Sequence, residues 1–149
     1  MIIIACMISP FVVRRADWTR DREHLRYIRE TVFVHEQQVP LEMEWDELDE
    51  ACVHVLALDS DEAPIGTGRL LPDGHIGRMA VLPGWRGRGV GGALLTELMR
   101  IASERGFVEV VLNAQVHAIA FYARHGFVAD GAQFLEAGIP HQTMRRQLI

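Results

Sequence analysis

Cysteine is scarce in this chain of 149 residues: Cys6 and Cys52 are too few for a multi-bridge disulfide framework, and both read as reduced thiols. Long apolar runs are missing as well. The apolar start, residues 1–8, has no basic segment ahead of it and is far shorter than a spanning helix, so it reads as neither signal nor anchor. Ile3-Ile4-Ala5-Cys6 imitates a lipoprotein cleavage box in letters only, with no room before it for a charged and then an apolar region. That stretch either adds an edge to a sheet or precedes a true start such as Met7. There is no basic excess: the formal net charge of -5 argues against a nucleic-acid-binding surface and leaves small ligands as the expected partners. Without repeats, low-complexity tracts or linkers, residues 1–149 read as one domain of a cytoplasmic protein. Its 49% hydrophobic and 23% charged residues are ordinary for a globular chain.

Periodicity and turn signals divide the chain. Residues 11–14 read as a strand and 17–35 as a helix carrying Leu25, Ile28 and Val32 at near-helical spacing. Residues 36–51 read as an acidic loop or short helix. Strands are expected over 52–58, 65–71 and 75–82, punctuated by Pro64, Pro72-Asp73-Gly74 and Pro83-Gly84, in an antiparallel meander. A helix follows, with Leu94, Leu98, Ile101 and Ala102 on one face and Glu97, Arg100 and Glu104 on the other, ending at Gly106. A strand over 107–112 then completes a crossover between parallel neighbours. The remaining expectations are a helix over 117–125 capped by Gly126, a strand from Phe127, and a last strand over 141–148.

The most informative stretch is 78–92, where an apolar strand runs into a glycine-rich, doubly basic turn that opens a helix. Amides of such a turn and of the first helical residues have no intrahelical partner, and the helix dipole adds about half a positive charge there. A pyrophosphate fits this arrangement. Gly87, Gly89, Gly91 and Gly92 keep side chains away from an approaching phosphate, while Arg86 and Arg88 add mobile positive charge. Gly87-Arg88-Gly89-Val90-Gly91-Gly92 satisfies the dinucleotide fingerprint G-x-G-x-x-G in letters, but the next expected strand is followed by Asn113 where that reading wants an acid for the ribose. A nucleotide P-loop fails too, because Gly89 is followed by Val90 and Gly91 with no lysine or hydroxyl. The bland alternative is a tight connection with no ligand.

Arg86-Gly87-Arg88-Gly89-Val90-Gly91 has the form [RQ]-x-x-G-x-[GA] after a strand holding Met79, Ala80 and Val81. About one helix downstream comes Asn113-Ala114-Gln115, followed by Ala120-Phe121-Tyr122-Ala123-Arg124-His125-Gly126-Phe127. Together these resemble the signatures of the GNAT N-acetyltransferases, most of all the small bacterial ElaA-like branch, which 29–37 and 136–141 also resemble. The resemblance implies an α/β (α+β) GNAT fold: a mixed, mostly antiparallel sheet of six to seven strands, helices on both faces, and a V-shaped split between two central parallel strands. It implies acetyl-CoA as donor and a primary amine of a small molecule or peptide as acceptor, and it leaves open a homodimer.

Carried over residue by residue, the resemblance places the backbone of Met79, Ala80 and Val81 against the pantetheine amides. It places Arg86, Gly87, Arg88, Gly89, Val90, Gly91 and Gly92 at the diphosphate, and Asn113 and Phe121 at the cofactor. Tyr122 matches the family's general-acid tyrosine, with a packed core aromatic as its plain alternative; for Asn113 the alternative is a helix N-cap. The pattern departs from the family where many relatives carry a glutamate, since Gly77 followed by Arg78 stands there. A base would then come from Glu36, His75, Glu136, His141 or a water chain. Phe33, Glu36, His75, Arg78 and His141 are the candidate acceptor-side residues. The alternative to an enzyme is a non-catalytic acyl-CoA sensor. His35-Glu36-Gln37-Gln38-Val39 begins like a zinc signature but ends in valine, so no metal is expected. The acidic run Glu42, Glu44, Asp46, Glu47, Asp49 and Glu50 reads first as a solvated loop, and second as an attractor of a cationic amine.

Overall fold

The computed structural model describes residues 10–148. Cys6 and the apolar start, with their expected sheet edge, lie outside the described residues. The elements in order are β1 (Phe11–Ala16), α1 (Arg22–Arg29) running into a π-helical segment (Glu30–Glu36), α2 (Leu41–Glu44), β2 (Val53–Asp59), β3 (Pro64–Leu70) and β4 (His75–Val81). They continue with α3 (Val90–Glu104), β5 (Glu109–Gln115), α4 (Ile119–Arg124), β6 (Val128–Ala129), β7 (Phe134–Glu136) and β8 (Ile139–Gln147). The strands form one sheet in the order β1-β2-β3-β4-β5-β8-β6, with β7 also on β8. Among the described residues only β4 and β5 pair in parallel.

The central strand β2 shows why helices cover both faces. Val53, Val55 and Ala57 pack with Leu94, Leu95 and Leu98 of α3, while Leu56 and Leu58 pack with Leu25 and Ile28 of α1. Both faces of the strand are apolar, as an internal strand requires.

Three expectations are corrected. The first helix begins at Arg22 rather than Asp17, because Asp17 Oδ1 accepts the NH groups of Thr19 and Arg20 and folds that stretch into a turn. Its far end continues in π geometry to Glu36, where Gln37 NH reaches Val32 O at 3.0 Å and Gln38, at φ 60°, ends it. Among the described residues the sheet has eight strands, where six to seven were expected, because Ala137 (φ 51°) and Gly138 (φ 76°) make a two-residue hairpin turn between β7 and β8. The fifth strand runs Glu109–Gln115, so Asn113 lies within a strand, paired with Thr143 of β8.

The turn before α1 carries a pH-sensitive contact. Arg14 donates to both oxygens of Asp21 at 2.9 Å and Asp17 NH donates at 2.8 Å, and the Arg14 hydrogen bond above all lowers the Asp21 pKa to about 2. A carboxyl depressed on folding stabilises above its unfolded pKa, and that stability is lost as pH falls through the folded value. Arg14 is half exposed, so solvent screening limits the contribution to about 1 kcal/mol. Urea unfolding of Asp21→Asn against the parent protein is expected to show that loss at neutral pH and to converge near pH 2.

Candidate active site

β4 and β5 pair only at His75 with Val111 and Ile76 with Leu112, and then separate. The cause is a bulge. The β3–β4 register shifts between Thr67 and Arg69, which inserts an extra residue in β4 near Arg78, itself in the left-handed region at φ 51°. A bulge bends its strand, so residues 77–81 follow β3 while 113–115 follow β8. Two backbone edges face each other across a wedge. Met79 and Val81 send their side chains into the cluster under α3, and Ala80 sends its own toward α1, so the gap is bordered by main chain.

At the end of β4 a short turn (Pro83–Trp85) leads to Gly87 at φ 75° and Gly89 at φ 86°. These left-handed values are what glycine supplies at the two positions. No main-chain NH from 87 to 92 has a hydrogen-bond partner among the described residues; the first bound one is Ala93, on Gly89 O at 3.1 Å. A run of unpartnered amides at the start of the fifteen-residue helix α3 is an anion cradle. Gly91 and Gly92 also serve packing. A Cβ at Gly91 would stand 3.3 Å from the Phe121 ring, and one at Gly92 would stand 3.1 Å from His125, so these glycines let α4 pack against α3.

The two loop arginines differ. Arg88 lies over the Trp85 ring at 4.8 Å. Arg86 donates through Nη1 and Nη2 to Glu36 at 2.8 and 2.7 Å and through Nε to Val81 O at 3.0 Å. Its hydrogen bonds hold the Glu36 carboxyl below the usual carboxylate range.

Tyr122 is buried on α4, edge-on to Phe121 at 5.0 Å and to Phe127 at 5.8 Å. Desolvation pushes its phenol up to about 12. No hydrogen bond contributes to that shift, and the hydroxyl is not among the fully buried side-chain atoms left without a partner.

The other candidates divide. His141 lies in β8 opposite Gln115 at the open end of the wedge, stacked on Phe134, with Nδ1 2.7 Å from Ile139 O and Nε2 3.7 Å from Glu136. His75 is beside Asp73 at the closed end, where β4 and β5 still pair, and is therefore apart from the mouth. Phe33 is a core side chain, packed with Leu58 and Ala80. Asn113 accepts from Thr143 Oγ1 at 2.9 Å. An added Cβ at Gly77 would meet nothing within 4 Å, so that strand position has room for a side chain it does not carry.

The acidic run is solvated only in part, at exposed Glu42, Glu47 and Glu50. Glu44 and Asp49 are buried against Arg29 and Arg69: Arg29 donates to Glu44 Oε1 at 2.7 Å and Asp49 Oδ1 at 2.9 Å, and Arg69 donates to Asp49 Oδ1 at 2.6 Å and to both oxygens of Asp46 at 2.9 Å. Burial alone would raise Asp49, but the two guanidinium groups hold it down. Arg78 joins this network through the main-chain oxygens of Met43 and Glu44, so the bulge residue is tied to α2. Sequence reasoning missed this network and a second contact, in which Gln37 and Gln115 exchange amide hydrogen bonds at 3.1 and 2.8 Å. That pair joins the end of the π-helical segment to the β5 side of the wedge.

A profile for the acetyltransferase (GNAT) domain matches residues 19–148. The chain is 43% identical over 124 residues to the uncharacterized N-acetyltransferase YjcF of Bacillus subtilis, covering 80% of this chain and 88% of that one. Among solved structures, an acyl-CoA N-acyltransferase from Pseudomonas aeruginosa is 32% identical with TM-score 0.79, covering 93% of this chain and 99% of that one. Escherichia coli ElaA is 27% identical with TM-score 0.81, over 92% and 99%.

Proposed function

The chain belongs to the GNAT acetyltransferase family, and we propose that it moves an acetyl group from acetyl-CoA directly to a primary amine of a small molecule or peptide. The observation that carries this reading is the run of unpartnered amides at 87–92, set at the end of a strand whose next edge stands open. Bound acetyl-CoA supplies an activated thioester. The amides of 87–92 and Arg88 are suited to a diphosphate, and the open main chain of Met79, Ala80 and Val81 to the amides of an extended arm. Val81 O already accepts from Arg86, so the arm depends chiefly on the rest of that edge.

Direct transfer is supported by the state of Cys52. Its thiol donates to Leu48 O at 3.1 Å, and burial pushes its pKa up, so it is a poor nucleophile. Tyr122 keeps its proton at neutral pH and is the group suited to protonate a departing thiolate. A cytoplasmic setting agrees with a thiol kept reduced.

Calorimetric titration of the purified protein with coenzyme A is expected to give saturable heat. Gly89→Ala puts a Cβ on a backbone at φ 86° and is expected to weaken that binding about fivefold, from strain of about 1 kcal/mol in the cradle. Absence of heat with correctly folded parent protein would overturn the reading.

A further inference from the structure

Glu36 and Gln37 are consecutive residues that reach opposite arms of the wedge. Glu36 binds Arg86, which follows β4, and Gln37 binds Gln115, at the end of β5. Their main chain is fixed independently of either contact, by Gln37 NH on Val32 O at 3.0 Å and Val39 NH on Phe33 O at 2.8 Å. Glu36 therefore stays over the wedge mouth whatever Arg86 does. Arg86 is the movable partner. Its side chain is 43% exposed, and it directly precedes the unpartnered amides of 87–92. A guanidinium prefers a doubly charged diphosphate in an amide cradle to one half-exposed carboxylate. His117, on the turn after β5, is the other titratable group whose field reaches Glu36.

Building on the acetyl-CoA reading above, we infer that Glu36 is a gate between the two substrate sites. In the free protein its carboxylate holds Arg86; when acetyl-CoA binds, Arg86 exchanges Glu36 for the diphosphate, and the released carboxylate receives the ammonium group of a cationic acceptor amine. The gate imposes an order, donor first and amine second. It also offers a carboxylate at the mouth of a site whose strand has, at Gly77, no side chain.

The test is a calorimetric cycle with coenzyme A and acetyl-pantetheine, which lacks the diphosphate. Glu36→Gln removes the competitor for Arg86, so coenzyme A is expected to bind about threefold or more tightly, while acetyl-pantetheine binds unchanged. The gain is expected to vanish in the Arg86→Gln background. In carboxyl-carbon NMR, with Glu36→Gln identifying the signal, the Glu36 pKa is expected to rise when coenzyme A is added. For whichever primary amine supports turnover, Glu36→Gln is expected to raise KM at saturating acetyl-CoA and leave kcat within about twofold. Unchanged or weaker coenzyme A binding by Glu36→Gln, or a Glu36 signal that stays low, overturns the gate while the cofactor assignment stands. An unchanged acceptor KM overturns the amine contact. No binding of coenzyme A by parent and variant alike overturns the cofactor assignment and the gate together.

Discussion

Replacing Arg29 with alanine is expected to destabilise the fold by about 3–5 kcal/mol, a large part of the stability of a domain this size. The guanidinium is 1% exposed and makes contacts no other residue can supply. Nε and Nη1 bind the carboxylates of Glu44 and Asp49, Nη2 binds Glu44 O, and its face lies 4.2 Å from the centre of the Trp45 ring. Alanine leaves two carboxylates in the interior with Arg69 and Arg78 as their remaining cations. Burial already pushes Glu44 up against the pull of Arg29, so loss of Arg29 drives it toward the neutral acid. Lysine keeps the charge but offers one point donor in place of a planar fork, and should recover only part of the loss. Urea unfolding measures both. If Arg29→Ala unfolds within about 1 kcal/mol of the parent, the network is a passive solvated cluster and its structural role is wrong.

This network also shows what the sequence does and does not reveal. The glycine loop is legible because its determinants are local: left-handed positions at Gly87 and Gly89, then a helix start. The strands β2, β3 and β4 are legible from short apolar runs between proline and glycine turns. The acidic run misleads because its partners are distant: Arg29 stands 15 and 20 residues from Glu44 and Asp49, and Arg69 stands 23 from Asp46. One signal was available, since the chain has arginine and no lysine, and arginine is the side chain suited to shared carboxylates. Gln37 and Gln115, 78 residues apart, carried none. Nor did the bulge at Arg78, where no glycine marks the left-handed residue that opens the wedge. Where Asn113 and His75 stand in the wedge is illegible for a related reason: a strand's register and the point where a parallel pair separates are set by its neighbours, through Thr143 and Val111, not by its own residues.

Replacing Tyr122 with phenylalanine is expected to lower kcat at least about tenfold, in the range of lost general-acid catalysis, with little change in coenzyme A affinity. The design of the site makes this a clean experiment. The ring packs between Phe121 and Phe127, and phenylalanine preserves both contacts. Desolvation is the sole cause of the phenol's shift, with no hydrogen bond acting on it, so removal of the hydroxyl breaks no strong internal contact and should leave the melting temperature nearly unchanged. A fall in rate is then a chemical effect. The pH dependence gives a second check. With desolvation holding the phenol at about 12, the parent enzyme loses no acid form between pH 8 and about 10, so Tyr122 imposes no basic limb there. Equal turnover by parent and Tyr122→Phe across amines would mean that the residue serves packing alone, and that the proton for the thiolate comes from solvent or another group.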